Sequence, residues 1–203
     1  ATEALCRAIL ARSPVHPDRW YLEGNLSGDK KASMLAFLGT RGKKVVAEAF
    51  LAPRVVRNVL HVSVDEMVRY HRTSVLGGIQ SGAMGVQGHV ANALAGLFIA
   101  CGQDVACVAE GAAGITSMVA ADDGALHVSV SLPNLTVGTV GGGTHLPTAR
   151  ACLHMLGCTG DGSARTLAEI ATATAMAGEV SIIGALAAGH FGRAHAALRH
   201  KPE

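Results

Sequence analysis

An α+β fold is predicted by three features of the 203-residue chain. Helix-length apolar periods recur at residues 2–11, 90–101 and 164–188, whereas residues 44–50 and 125–132 alternate with the two-residue period of a strand. Alanine and the 25 glycines dominate while aromatics make up only 3%, which suits closely packed helices better than a β-sandwich.

With 49% apolar residues the chain can bury a core, and disorder is excluded. The net charge is +2, and its Lys and Arg residues are dispersed without stacking aromatics, so no nucleic-acid partner is expected. Five cysteines at positions 6, 101, 107, 152 and 158 form no Cys-x-x-Cys pair and no Cys/His quartet. Reduced thiols and no metal site are expected. Glu3 and Arg7 interrupt the first apolar period, which argues against a signal peptide. The longest apolar tract contains Glu169 and Glu179, so no membrane segment is expected in this chain and a soluble, cytoplasmic location is predicted.

Taken in order, residues 2–11 place Leu5, Ile9 and Leu10 at amphipathic helical spacing, and Pro14 and Pro17 end that helix. Trp20 to Leu22 is read as a short strand. The polar loop from Glu23 to Ser33 carries Asp29 beside Lys30 and Lys31. It is either a solvated turn or a device that delivers one ammonium into a cleft. Lys44 to Phe50 is a strand with Val45, Ala47 and Ala49 on one face. Pro53 opens a short helix to about Leu60, and Ser63 with Glu66 forms a capping box for another that runs to about His71.

The stretch from Gly77 to Asp104 organises the rest. Small residues lead into an apolar helix in which Ala91, Leu94, Ala95, Phe98 and Ile99 fall at helical spacing with apolar flanks, predicting a central helix buried nearly all round. Gly102 supplies a left-handed stop, and Asp104 follows where the carbonyl end of the helix dipole repels negative charge. That acid needs a cation.

Beyond it, Ile115 to Ala121 is a strand or a short helix, Asp122-Asp123-Gly124 is a turn, and Ala125 to Leu132 is a strand ended by Pro133-Asn134. Gly141-Gly142-Gly143 calls for a tight turn or a close ligand contact. No dinucleotide fingerprint is present, because the required Gly-x-Gly-x-x-Gly between strand and helix is absent. Pro147 to Leu156 is a helix stopped by Gly157, and Ser163 caps the long helix that reaches Ala188. Glu179, in the apolar middle of that helix, must meet a cation, polar backbone groups or water. His190, His195 and His200 then recur at an interval that does not suit paired helical metal ligands.

Four motifs stand in order over about Ala1 to Lys201: Gly24-Asn25 with Asp29-Lys30-Lys31, Gly102-Gln103-Asp104, Gly138 to Thr144 (GTVGGGT), and Ala187-Ala188-Gly189-His190 followed by His195. Together they resemble hydroxymethylglutaryl-coenzyme A reductase of the class found in eukaryotes, archaea and some bacteria. The resemblance implies that Lys30 is the catalytic lysine, Asp104 the aspartate that tunes it, and His195 the histidine that protonates the departing thiolate. It implies that Val140, Gly141, Gly142 and Gly143 lie near the nicotinamide of NADPH. Asn25, Asp29, Lys31 and Asn92 match positions around the hydroxymethylglutaryl group, and Arg72 or Thr73 falls near a cation position for the substrate carboxylate.

The implied reaction is the NADPH-dependent reduction of hydroxymethylglutaryl-CoA to mevalonate and free coenzyme A, in a homo-oligomer. The implied domains are a remnant of the small cofactor-binding domain at 1–22 and the large substrate-binding domain at 23–203. The family's catalytic glutamate and a cofactor segment lie upstream of anything in this chain, so it is expected to be either a fragment of a longer product or one half of a split enzyme that a complementary N-terminal half completes. The alternative is an impaired paralogue acting as an acyl-CoA-binding or structural partner. Glu23 departs from the family's small hydroxyl residue.

Overall fold

A computed structural model describes residues 1–22, 27–39 and 41–190. The helices are α1 (Thr2–Arg12), α2 (Leu35–Leu38), α3 (Pro53–Val55), α4 (Val64–Gln80), α5 (Val90–Ala100), α6 (Val108–Gly111), α7 (Pro147–Met155) and α8 (Ala164–Ala187). The strands are β1 (Lys43–Leu51), β2 (Ile115–Ala120) and β3 (Leu126–Leu135), antiparallel in the order β1-β3-β2. This mixture is α+β, as the periodicities predict.

Alternation fixes the sheet's faces. Leu126, Val128, Val130 and Leu132 of β3 are buried, and register pairs them with Leu51, Ala49, Ala47 and Val45 of β1. Met118 and Thr116 of β2 face the same core from opposite Val128 and Val130. Helix α8 packs on this side of β1 and β3 and also touches α4 and α5. One apolar cluster joins α5, α7, β3 and the first half of α8, and a second joins the π-helical turn Val56–Leu60, α4 and the far end of α8.

Several expectations are corrected. Helix α5 is not buried nearly all round: Val90, Leu94 and Phe98 are buried, but Ile99 is 70% exposed and Ala91 and Asn92 are also exposed. The helix at the centre of the described residues is α8, whose buried positions run from Leu167 to Gly184. Trp20 to Leu22 forms no strand. Helix α4 continues to Gln80 through Gly77 and Gly78, because its capping box starts it firmly and packing against α8 and β2 offsets the cost of about 1 kcal/mol per glycine. Ser163 occupies the cap position of α8, but its hydroxyl donates to the Thr159 carbonyl at 2.9 Å instead of capping.

Strand β3 runs past Pro133, where a stop was expected. The register steps two residues in β1, Lys43 to Val45, against three in β3, Leu135 to Leu132, and this bulge absorbs a proline that has no N–H for the ladder. Alternation already directs Asn134 inward, and the bulge brings Leu135 inward as well, so the two are buried in succession.

By length and composition alone, α8 is long and apolar enough to cross a membrane. Its packing on the sheet and the carboxylate in its middle are those of a core helix. Glu179 Oε1 accepts the Val90 N–H at 3.1 Å and the Gly88 N–H at 2.8 Å, and it also accepts the His89 N–H. Its Oε2 takes the Thr116 hydroxyl at 3.0 Å. The buried charge thus sits on the N-terminus of α5, where dipole and unpaired N–H groups favour it. A Gln at 179 can still accept from the three N–H groups and donate to Thr116, whereas Ala leaves them unsatisfied. Glu179→Ala is expected to lose about 3 kcal/mol and Glu179→Gln about half that, measured by urea unfolding.

Candidate active site

The cation that Asp104 requires is Lys30. Lys30 Nζ stands 2.9 Å from Asp104 Oδ2, with side chains 43% and 52% exposed, and Asp104 lines a cleft. Asp104 also accepts the Ala106 N–H at 3.0 Å and so caps the turn Val105–Cys107, which makes its position after α5 less hostile than the helix end alone suggests. The hydrogen bond to Asp104, reinforced by its charge, raises the Lys30 pKa. The same bond, with the Ala106 N–H, lowers that of Asp104. At neutral pH the pair is therefore ammonium and carboxylate.

Behind the pair lies a second carboxylate that the sequence reading did not single out. Glu110, on α6, is 3% exposed. Its Oε1 accepts the Lys30 N–H at 3.2 Å and Arg41 Nη2 at 2.7 Å, and its Oε2 accepts Asn134 Nδ2 at 2.9 Å. Asn134 is oriented by the Gly42 N–H, which donates to its Oδ1 at 2.8 Å. Arg41 also pairs with Asp29. Burial pushes the Glu110 carboxyl up, but Arg41, the Lys30 N–H and Asn134 outweigh this and hold it below its ordinary range. Beside them, burial and then the charge of Asp104 push the Cys107 thiol up to about 11, so it is protonated at neutral pH. Asp29, Cys107 and Glu110 offer ligand atoms within 4.8 Å of one another, but the guanidinium of Arg41 already pairs with both carboxylates.

The cleft itself has a volume of about 450 Å³. Asp104 forms one side, and Val140, Gly141, Gly142 and Gly143 form another. The tight-turn reading of the triple glycine is met at Gly141 and Gly142. Gly141 and Gly142 have φ of 80° and 56°, as a tight turn requires, and nothing lies within 4 Å of where a Cβ would stand. Gly143 is small for a different reason: a Cβ there would meet the Gly102 carbonyl oxygen at 2.7 Å. Gln103 fastens the segment further, donating to the Gly138 carbonyl at 2.9 Å and accepting its N–H at 2.8 Å. From Gly141 to Gly143 the wall is thus bare backbone, and the segment is tied to the residue before Asp104.

Among the other expected residues, Asp29 adjoins the pair, and Lys31 Nζ donates to the Asp29 carbonyl at 3.1 Å. Asn92 is exposed on α5 and does not line the cleft. Arg72 lies in the middle of α4, in a surface groove with Asp65 and Arg69. Asn25 and His195 lie outside the described residues, as does Glu23. The overlooked group, Glu110, carried a signal: an acid alone in the apolar run from Val105 to Ala113 needs partners, by the reasoning applied to Glu179.

The fold and site define an α+β protein in which a lysine pairs with an aspartate that lines a glycine-rich cleft. A sequence profile described as hydroxymethylglutaryl-coenzyme A reductase matches residues 1–200. The 3-hydroxy-3-methylglutaryl-coenzyme A reductase of Methanocaldococcus jannaschii is 42% identical over 202 residues, covering 98% of this chain and 50% of that protein. The reductase of Aeropyrum pernix is 43% identical over 205 residues, 98% of this chain and 48% of its own length, and that of Fusarium fujikuroi 45% identical over 182 residues, 86% and 18%. The chain belongs to the hydroxymethylglutaryl-coenzyme A reductase family. It spans about half the length of the archaeal relatives.

Two outcomes are expected. Gly102→Ala combines a φ of 64° with a Cβ only 2.6 Å from the Gly143 carbonyl carbon, so it should cost about 2 kcal/mol or more in urea unfolding. Because the folded pKa of Glu110 is depressed, the stability it contributes is complete above the unfolded carboxyl range and lost as pH falls through the folded value. The gap in Tm between the wild type and Glu110→Gln should therefore close on acidification from about pH 6 to about pH 3.

Proposed function

We propose that this chain carries the substrate-binding part of a reductase that converts hydroxymethylglutaryl-CoA to mevalonate and free coenzyme A with NADPH. The observation that carries the reading is the Lys30–Asp104 contact at 2.9 Å, beside a wall without side chains. When hydride adds to a thioester carbonyl, negative charge gathers on its oxygen. An ammonium positioned there stabilises that oxyanion, and such a contact is typically worth about a hundredfold to a thousandfold in rate. Asp104 keeps Lys30 protonated and aimed, and Asp29 and Lys31 stand on the same turn to meet the acyl group. His195, by family resemblance, donates the proton to the departing thiolate.

The residues present suit a nicotinamide. Open space above Gly141 and Gly142 lets a planar ring approach the main chain, with Val140 and Gly143 flanking it. A nicotinamide bound there supplies the hydride. Asn25 and Asn92 complete the proposed substrate contacts. Residues 1–22 are proposed as a remnant of the cofactor-binding domain, a reading supported by α1, which has no buried residue. Residues 23–203 are the substrate domain. A homo-oligomer is part of the proposal, and the exposed Ile79 and Ile99 provide apolar surface for it. So is an N-terminal half that supplies the general acid and the rest of the cofactor site.

The test is NADPH oxidation with hydroxymethylglutaryl-CoA, by the chain alone and with the N-terminal half of the Methanocaldococcus jannaschii relative added or fused ahead of Ala1. Turnover is expected with the added half and should fall at least about a hundredfold in Lys30→Ala. No turnover in either arrangement, or turnover indifferent to Lys30, would overturn the proposal.

A further inference from the structure

The proposed chemistry needs Lys30 Nζ to stay beside Asp104, but a lysine side chain on a surface turn does not fix its own position. Its main chain is unusual. Lys30 has a φ of 57°, a left-handed conformation that costs a non-glycine residue on the order of 1 kcal/mol and persists only where the surroundings hold it. The Lys30 N–H donates to Glu110 Oε1, an oxygen shared with Arg41, and Arg41 reaches on to Asp29, the residue before Lys30. Glu110 therefore grips this turn twice, once directly and once through the guanidinium. It is held in turn by Asn134, on the bulge of β3.

Resting on the reading of Lys30 given above, we propose that Glu110 is a positioning residue for the reaction: through the Lys30 N–H and Arg41 it sets where the Lys30 ammonium stands relative to Asp104. Glu110 is 3% exposed, and its contacts from the Lys30 N–H, Arg41 and Asn134 all donate to it, with only the weakly polar Cys107 thiol beside them. A glutamine there must turn its amide NH2 either toward Asn134 Nδ2 or toward the Lys30 N–H and Arg41. Asn134 cannot compensate by flipping, because its oxygen is already committed to the Gly42 N–H. The grip is therefore specific to a carboxylate of this length. Aspartate keeps the charge but falls a methylene short.

The test follows the Lys30 ammonium directly, by NMR titration of its side chain in this chain, with the signal assigned by its loss in Lys30→Arg. Asp104→Asn sets the scale, since removing the carboxylate should lower the Lys30 midpoint. Glu110→Gln and Glu110→Asp are each expected to lower it by more than half of that shift, with the signals of the buried core retained. Retention of charge in Glu110→Asp separates lost positioning from lost electrostatic attraction. If Glu110→Gln does not fold, Arg41→Lys, which cannot bridge Glu110 and Asp29, should give a smaller drop in the same direction. A midpoint unmoved in the Glu110 and Arg41 variants, while Asp104→Asn lowers it, overturns the role of Glu110 and leaves the ion pair standing. A midpoint unmoved in Asp104→Asn overturns the functional reading of the pair itself.

Discussion

The geometry of the candidate site depends on one enclosed carboxylate. Glu110 draws together the Lys30 turn, the entry to β1 at Arg41 and the end of β3 at Asn134, segments that lie far apart in sequence. An ionised carboxylate taken out of water is costly unless its lone pairs are used, and here three donors use them, one carrying a full charge. The energetic requirement and the spatial one coincide. Satisfying Glu110 obliges the three segments to meet, and their meeting brings Lys30 to Asp104.

Glu179 solves the same problem by other means. It has no ionic partner among its contacts and relies on the N-terminus of α5, whose unpaired N–H groups carry partial positive charge, together with one hydroxyl. The two glutamates therefore differ in their tolerance of an isosteric amide. Around Glu179 a hydroxyl can accept as well as donate, so a glutamine finds matching partners, while the strong partners of Glu110, the Lys30 N–H, Arg41 and the Asn134 amide, only donate. Burial alone would rank the two positions as equals. The inventory of donors and acceptors ranks them apart.

What the sequence disclosed follows the same division between local and distant causes. The capping box of α4, the left-handed Gly102 and the strand alternation of β1 and β3 are local, and each was legible. Asp104 was legible as an acid in need of a cation because a helix end makes that demand on its own neighbourhood, but Lys30 as that cation came from the family resemblance and not from local sequence. Glu110 was not, since its partner Arg41 stands 69 residues away and nothing in the run around it names that distance. The continuation of β3 through Pro133 was hidden for a related reason. A proline reads as a stop until the partner strand is known to accommodate a bulge. The exposed side of α5 misled in the opposite sense, because apolar character states a preference for burial and not what is available to cover it.

The bulge links fold to site. An unbroken alternation along β3 would place residues 132 and 134 on the same face, aligned with the core, and would leave residue 135 pointing outward. The extra residue lets Leu135 turn inward as well, so Asn134 reaches the carboxylate and Leu135 the apolar cluster that includes Leu94 and Val137. Immediately beyond, Lys43 Nζ donates to the Val137 carbonyl at 2.9 Å and Gln103 clasps Gly138, so the strand's irregular end leads without slack into the glycine wall of the cleft. Asn134 fixes the carboxylate that holds the lysine turn, and the residues after it lead into the Gly141–Gly143 backbone that lines the cleft with Asp104. A proline in a central strand costs ladder hydrogen bonding, and here a bulge absorbs it while alternation still carries Asn134 to the carboxylate and the chain departs toward Gly141.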